Sequence, residues 1–331
     1  MSTHHHNPAR PWRLAAVATA LLSLGSMTSA LAQTWPDKPL KVVVGFPPGG
    51  AADQIARLVS TPLATALAQP VVVENRPGAN GNIAGEAVAK SPADGYTLLM
   101  GSGGMVSVNP HLYPRMPFDP VKDLVPVASA ARVLVYLMAR PTIEAKNVQE
   151  LIAYAKANPG RLTYGSAGNG SSPHLAGEML KSQAGMFAVH VPYRGAAPAL
   201  TDLMGGQIYY YFDPGIGLSH AKAGRTKLLA VGSLKRSPLF PDVPTLDEVG
   251  LKGFDADSVF GFYAPAGTPP AVITRLNTEI NKILATAAVK DRITALGGDA
   301  LPLSPAEFGK RGMDDSQRFG AIIKERKITA E

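Results

Sequence analysis

The run Val42-Val43-Val44-Gly45-Phe46-Pro47-Pro48-Gly49-Gly50-Ala51-Ala52-Asp53 passes from β-branched residues into a Pro/Gly turn, and a helical pattern opens immediately after it. Ile55, Leu58, Val59, Leu63, Ala66 and Leu67 recur at helical spacing, so the stretch reads as strand, tight loop, helix. Pro62 interrupts that pattern and predicts a kink or break near Thr61. Such a loop sets the free N–H groups of a helix start beside backbone that glycines leave uncovered. Orphan donors and the positive end of the helix dipole then attract anions. Neither the Gly-Lys-Ser/Thr ending of a phosphate loop nor Gly-x-Gly-x-x-Gly is present. Asp53 has two readings: a first-turn carboxylate complementing the dipole, or a ligand contact.

The same device recurs along the chain. Strand Val71 to Glu74, turn Asn75 to Gly78 and a short helix through Ile83 and Val88 lead to strand Thr97 to Met100, which ends in Gly101-Ser102-Gly103-Gly104. The apolar stretch Val133 to Met138 reads as a strand crossing into a second domain. A helix over 147–157 follows, with Asn147 as N-cap and Glu150 three residues on. Strand Leu162 to Tyr164 then runs into loop 165–172 and a helix from Pro173. Further strands end in Tyr193-Arg194-Gly195 and Asp213-Pro214-Gly215, and Leu228 to Val231 forms another. Pro238 to Gly253 reads as a surface connection. Thr268 reads as the cap of a helix with Val272, Ile273, Leu276, Ile280, Ile283 and Leu284 on one face, and a last amphipathic helix runs from Pro305 to Ile323. Strands alternating with helices predict α/β architecture with mainly parallel sheets covered on both faces, and ligands of such sheets sit at the C-terminal strand ends where these glycine loops fall.

At 331 residues the chain accommodates two domains once its N-terminus is set aside. Arg10 and Arg13 precede the apolar run Leu14 to Leu24, and Ala30-Leu31-Ala32 fits a cleavage site before Gln33. Residues 1–32 therefore read as a signal peptide. His4, His5 and His6 fall in that segment and carry no metal-site reading. Losing the two arginines takes the formal net charge from +7 to +5, a balance that favours acidic ligands. No Lys/Arg run interleaved with aromatics supports nucleic-acid binding. The absence of cysteine removes disulfides, a thiol nucleophile and a lipid-anchor site.

Ser166, Ser171, Ser172 and His174 crowd one loop, which raises a secreted serine hydrolase or esterase using Ser171 or Ser172 with His174. Tyr164, however, stands where a Gly-x-Ser-x-Gly elbow needs its first glycine. Serine-glycine loops also bind anions through their N–H groups. His111, His174, His190 and His220 lack metal-site spacing, and no metal or cofactor is expected. Asp213 either meets a ligand amine or bridging water, or makes an Asx turn. Arg194 either pairs with a ligand carboxylate or forms a salt bridge. The loops 46–53, 101–104, 165–172 and 193–195 thus offer many backbone donors and few catalytic side chains, with Phe46, Tyr193 and Phe260 as walls.

Pro47-Pro48-Gly49-Gly50-x-x-Asp53-x-x-Ala56-Arg57, Glu74-Asn75-Arg76-Pro77-Gly78-Ala79 and Asp94-Gly95-Tyr96-Thr97-Leu98-Leu99 resemble the Bug family, the periplasmic solute receptors of tripartite tricarboxylate transporters. The likeness continues through Gly168-Asn169-Gly170-Ser171-x-x-His174-Leu175, His190 to Gly195, Asp202 to Gln207, Pro241 to Thr245 and Ala264 to Pro269, and covers the chain from about Trp35 onward. It implies a two-lobed, type II-like periplasmic binding protein with a ligand cleft between hinged lobes. Residues 33–135 with 258–331 form lobe 1 and residues 136–257 lobe 2.

The resemblance also implies that two loops grip a carboxylate of an organic acid or amino acid. The expected ligand-binding residues are Phe46, Pro47, Gly49, Gly50, Ala51, Asp53 and Ser102 in lobe 1. In lobe 2 they are Ser166, Ala167, Gly168, Ser171, Ser172, His174, Tyr193, Arg194 and Asp213. A monomeric, non-enzymatic receptor delivering its ligand to integral membrane subunits is the function implied; a sensor for a signalling partner needs the same fold. The pattern often carries Trp before Phe-Gly, whereas here Val259 precedes Phe260-Gly261, which implies a smaller cleft wall.

Overall fold

Strand β1, Leu40–Val44, is buried at every position except Lys41. A central parallel strand covered by helices on both faces presents apolar residues throughout, which is why no alternation marks it. It lies between β2, Val71–Asn75, and β3, Thr97–Gly101, parallel to both. The sheet continues antiparallel through β10 (Ser258–Pro265), β4 (Leu124–Val133) and the short β11 (Gly298–Ala300), giving the order β11-β4-β10-β3-β1-β2. A second sheet has the order β7-β6-β8-β5-β9 and contains β5 (Tyr136–Ala139), β6 (Thr163–Ser166), β7 (Val189–Pro192), β8 (Tyr210–Asp213) and β9 (Lys227–Val231). There β6 runs parallel to β7 and β8, and β5 runs antiparallel to β8 and β9. Both sheets are mixed, each with its parallel strands followed by helices.

This architecture comes from a computed structural model that describes residues 1–4, 35–325 and 327–329. The described residues from Lys38 onward form one compact unit. The expected signal peptide lies outside the described residues apart from its first four.

The stretch expected as one strand from Val133 to Met138 is two. β4 ends at Val133 and β5 starts at Tyr136, so Leu134 and Val135, both buried, carry the chain from one sheet to the other. The return crossing runs beside it: Gly232 N–H donates to the Val135 carbonyl (2.8 Å) and Ala256 N–H to that of Gly232 (2.9 Å). At this double crossing Asp257, buried, is paired with Arg132 (3.1 Å) and Arg311 (3.2 Å). Burial and neighbouring Asp255 push its carboxyl up to about 6 against those arginines.

Helix α1, Ala51–Leu67, runs through Pro62 instead of breaking near Thr61. The carbonyl deprived of its donor belongs to Leu58, a half-exposed residue on the outer side of the helix. Ile55, Val59, Leu63 and Leu67 are buried as their spacing requires. α2 (Asn82–Ala89) covers the same sheet. In the second lobe, α3 (Val148–Ala157) starts at the expected capping box, Glu150 N–H donating to Asn147 Oδ1 at 2.9 Å. α4 (Ser172–Ala184) and α5 (Ala196–Met204) follow β6 and β7. The segment expected as a surface connection is tied back to the sheet: Leu246 is fully buried and its N–H donates to Val231 O (2.9 Å).

α6 (Pro270–Ala285) buries all six residues expected on its inner face. Its N-cap is Pro269, and Thr268 Oγ1 donates instead to the Pro265 carbonyl (2.8 Å), tightening the preceding turn. α7 (Ala287–Ala295) leads to β11. The last helix, α8 (Pro305–Glu325), is shared between the lobes: Phe308 packs with Leu99 and Tyr263 of the first core, while Phe319 and Ile323 join Leu137, Tyr164 and Phe212 of the second.

Candidate functional site

The three loops that lead into α1, α4 and α5 meet at one cavity. From lobe 1, Phe46, Pro47, Pro48, Gly50, Ala51 and Ala52 line it, joined by Asn80, Ser102, Ser258 and Phe260. Val133 and Val135 at the crossing line it too. Lobe 2 supplies Ala167, Ser171, Ser172, Pro173, Pro214 and the start of α5 from Gly195 to Pro198. The void is small, about 50 Å³, where one water needs about 10–15 Å³ on the same measure.

Each helix start contributes N–H groups that have no acceptor one turn earlier. For α1 these belong to Ala51 and Ala52, for α4 to Ser172, and for α5 to Ala196 and Ala197. Their N-caps Gly50 and Gly195 supply no side-chain acceptor. Three positive helix ends therefore converge on a largely apolar cavity, and no charged side chain is among the residues that line it.

Gly49 and Gly50 do different work. Gly49 has φ +82, a conformation suited to glycine, whereas Gly50 at φ −73 is ordinary extended backbone and matters because its bare Cα lines the cavity. Asp53 holds the loop from beneath. It accepts from Gly49 N–H (2.9 Å), Arg57 Nε (3.0 Å) and Asn75 Nδ2 (2.9 Å), and that same Nδ2 also donates to the Phe46 carbonyl (2.9 Å). Burial raises its pKa, but the bonds from Arg57, Gly49 and Asn75 outweigh that and hold the carboxyl below its usual range.

Of the expected binding residues, Phe46, Pro47, Gly50, Ala51, Ser102, Ala167, Ser171 and Ser172 line the cavity. Gly49, Asp53, Ser166, Gly168, His174, Tyr193, Arg194 and Asp213 lie around it without lining it. Ser166 Oγ is fully buried, 2.7 Å from His190 Nε2, and also accepts from Gly168 N–H. His174 Nδ1 accepts from Gly170 N–H (3.1 Å) and its ring stacks on His190 at 4.3 Å. Burial lowers His174 to about 4 and His190 to about 3, so both are neutral at physiological pH. Tyr193 turns its hydroxyl to Asp202 (2.7 Å), and Arg194 is exposed.

Asp213 adopts the Asx-turn reading. Its Oδ1 accepts from Gly215 N–H (2.7 Å) and Gly217 N–H (2.9 Å), and burial pushes it up to about 7. The pairing of Ser171 or Ser172 with His174 expected for a hydrolase is not built, and the serine that does meet an imidazole, Ser166, is fully buried and does not line the cavity. Ser171 Oγ donates to the Gly168 carbonyl (2.6 Å) and caps α4 by accepting from His174 N–H (3.4 Å), with no bond to the imidazole.

Lining residues outside the expected binding set include Pro48, Ala52, Asn80, Pro173, Pro214, Ser258, the crossing valines and Ala196 to Pro198, while Gly195 belongs to the expected loop 193–195 and Phe260 to the expected walls. Ser258 and Phe260 line the cavity as alternating positions on β10, while Val259 between them faces the first core. The Val259 position therefore sizes the core, and the cleft wall expected to shrink there is set by Phe260.

The lobes touch at bare backbone around the cavity mouth. A Cβ on Gly104 would sit 3.0 Å from the Gly170 carbonyl, one on Gly170 would sit 2.7 Å from Asn109 Oδ1, and one on Gly195 would sit 3.0 Å from Pro47. Tyr113 Oη donates across to the Asn169 carbonyl (3.2 Å).

Two mixed α/β lobes joined by a double crossing, with helix starts converging between them, define a bilobal solute-binding protein of the periplasmic type. The chain belongs to the tripartite tricarboxylate transporter family of receptors, whose pattern it matches over residues 55–328. It is 36% identical over 315 residues to BugT of Bordetella pertussis, covering 94% of this chain and 96% of that protein. Among solved structures it is similar to Rpa4515 of R. palustris with adipate (34% identity, TM-score 0.87, 89% and 99% of the two chains). MatC of Rhodopseudomonas palustris with bound malate is also similar (31% identity, TM-score 0.83, 87% and 100%). The family comprises solute-binding receptors rather than enzymes.

Proposed function

We propose that this protein is an exported, monomeric receptor that captures a small organic carboxylate between its lobes and delivers it to the membrane subunits of a tripartite transporter. The observation that carries the reading is the convergence of the α1, α4 and α5 starts on a cavity whose lining residues include no cation. Backbone donors in that arrangement neutralise a carboxylate without the desolvation that a buried lysine or arginine would demand. Adipate in Rpa4515 and malate in MatC support a carboxylate ligand, and family membership supports the transporter partner. Residues 1–32 act as the export signal and residues 33–331 as the working receptor in the periplasm. Hinging at the double crossing admits the ligand, as a shift between open and closed states set by the ligand's preference for the closed one.

A thermal-shift panel of mono-, di- and tricarboxylates, their methyl esters, neutral sugars and polyamines tests this. A carboxylate at a hundred times its dissociation constant contributes about 2.7 kcal/mol and, for about 300 residues unfolding together, raises Tm by about 4 °C. Its ester is expected to be silent. Stabilisation by a sugar or polyamine with every carboxylate silent sinks the proposal.

A further inference from the structure

Gly170 sets bare backbone of lobe 2 against the amides of lobe 1. A Cβ on it would lie 2.7 Å from Asn109 Oδ1 and 2.9 Å from Asn80 Nδ2, and one on Gly104 would lie 3.0 Å from the Gly170 carbonyl. The lobe 1 side of this contact is fixed by its own bonds. Asn80 Nδ2 donates to Asn109 Oδ1 (2.7 Å), and Asn109 Nδ2 donates to Asn82 Oδ1 (2.7 Å). The fit between the lobes therefore depends on where the opposite loop holds Gly170.

That loop is held by an imidazole. Gly170 is buried with φ +83, so its N–H needs an acceptor within the protein. The acceptor is His174 Nδ1 at 3.1 Å. In a capping box the third helical residue is Glu or Gln and reaches back to the N-cap N–H. Here Ser171 is the N-cap and accepts from His174 N–H, but the return bond passes over the cap to Gly170, one residue further out. It fixes the residue that meets the other lobe.

The ring is also locked and uncharged. His174 is 3% exposed and stacks on His190 at 4.3 Å, which stacks on Tyr164 at 4.8 Å. Turning the ring over would put a C–H where the Gly170 N–H needs an acceptor. Burial, and then the charge of Lys181, lower His174 to about 4, so Nδ1 stays an acceptor at neutral pH. A glutamate in its place would put a negative charge on the α4 start, where an anionic ligand needs the positive end of the helix.

Resting on the receptor reading above, we infer that His174 is a positioning residue: it stays off the ligand and sets affinity by holding Gly170 where the two lobes meet. It is absent from the cavity lining, although Ser171, Ser172 and Pro173 just before it are present.

Calorimetry of the full mature chain with adipate and malate as probes compares the parent with His174→Phe and His174→Asn. Phenylalanine keeps a stacked ring without the acceptor, whereas asparagine gives up the ring and keeps an acceptor at the same distance from the backbone. Phenylalanine should weaken both probes about 10- to 100-fold and by one common factor, because losing closed state lowers every ligand's apparent affinity alike. Asparagine should restore most of that loss. A phenylalanine variant that binds like the parent would overturn the inference, as would an asparagine variant equally weak. Unequal factors for the two probes would put His174 on the ligand and overturn it too. Hydrogen exchange on the ligand-free parent needs no variant: the Gly170 amide should be protected, and exchange at the free rate would overturn the role of Nδ1. Dimethyl adipate binding the parent as tightly as adipate would instead overturn the carboxylate reading and leave the role of His174 standing.

Discussion

Gly104→Val is expected to weaken ligand binding by about 100-fold while leaving the fold intact, because it holds the two lobes apart. Gly104 has no positive φ, so valine brings no strain of that kind. Its Cβ would meet the Gly170 carbonyl at 3.0 Å and Asn80 Nδ2 at 3.4 Å, and the γ-methyls beyond it have to enter space that the other lobe occupies. Val108 and Leu112, just after Gly104, pack with Leu137 and Phe212 of the second core, so the melting temperature without ligand should fall modestly while the protein remains folded. What changes is the closed population. When only a fraction of molecules can close, the apparent dissociation constant rises by the inverse of that fraction, and about a hundredfold loss of closed state gives about a hundredfold weaker binding. Solution scattering with ligand should show the variant more extended than the parent. A variant that binds and compacts like the parent would show that the Gly104–Gly170 contact is not part of closure.

Asp53→Ala should lower folding stability by about 2–3 kcal/mol at pH 7, the cost of leaving partly buried donors without a charged acceptor. The donors are the Gly49 N–H, which sets the loop, and the Asn75 amide, which also grips the Phe46 carbonyl. Arg57 is half-exposed and turns to water, so its loss adds little. Ligand affinity should fall with stability, since Gly50 and Ala51 line the cavity on the loop that Asp53 holds. The pH dependence has a definite sign. The folded carboxyl is held below its ordinary value of 3.8, so its contribution is complete above that pH and is lost as pH falls through the folded value. Parent and variant should therefore differ most at neutral pH and converge in strong acid. Urea unfolding at pH 7 and near pH 3 measures both, and a gap that widens in acid would contradict the role given to Asp53.

Much of this was legible in the sequence because strong local signals agreed with the fold. The β1 run, its glycine turn and the periodic α1 face all point to one unit, and Asn147 with Glu150 states where α3 begins. Legibility failed where a residue's task is set by a distant partner. Asp53 and Asp213 look alike as acids beside a glycine turn. The first is tied to Asn75 and Arg57, the second to N–H groups two and four residues on, and neither lines the cavity. Ser171 and Ser166 read as hydroxyl donors, but capping and the contact with His190 consume them. Asn80 and Ser258 carry no local motif: Asn80 sits in the turn before α2, and Ser258 is set beside Val133 only after β10 has paired with β4 from across the chain. The loop 193–195 was legible as a donor loop, but nothing in it marks the N–H groups of Ala196 and Ala197, which the helix start after Gly195 brings to the cavity. On β10, strict alternation would have assigned Val259 to the core and Phe260 to the cleft had the run been recognised as a strand.

The central claim is that backbone N–H groups of three helix starts hold the ligand's carboxylate. An amide NMR titration of the mature chain with a carboxylate selected by the thermal panel tests it most directly. The account predicts large downfield proton shifts for Ala51, Ala52, Ser172, Ala196 and Ala197, saturating together at the calorimetric stoichiometry and absent with the methyl ester. Saturation with those amides unmoved, while side chains elsewhere respond, would contradict it.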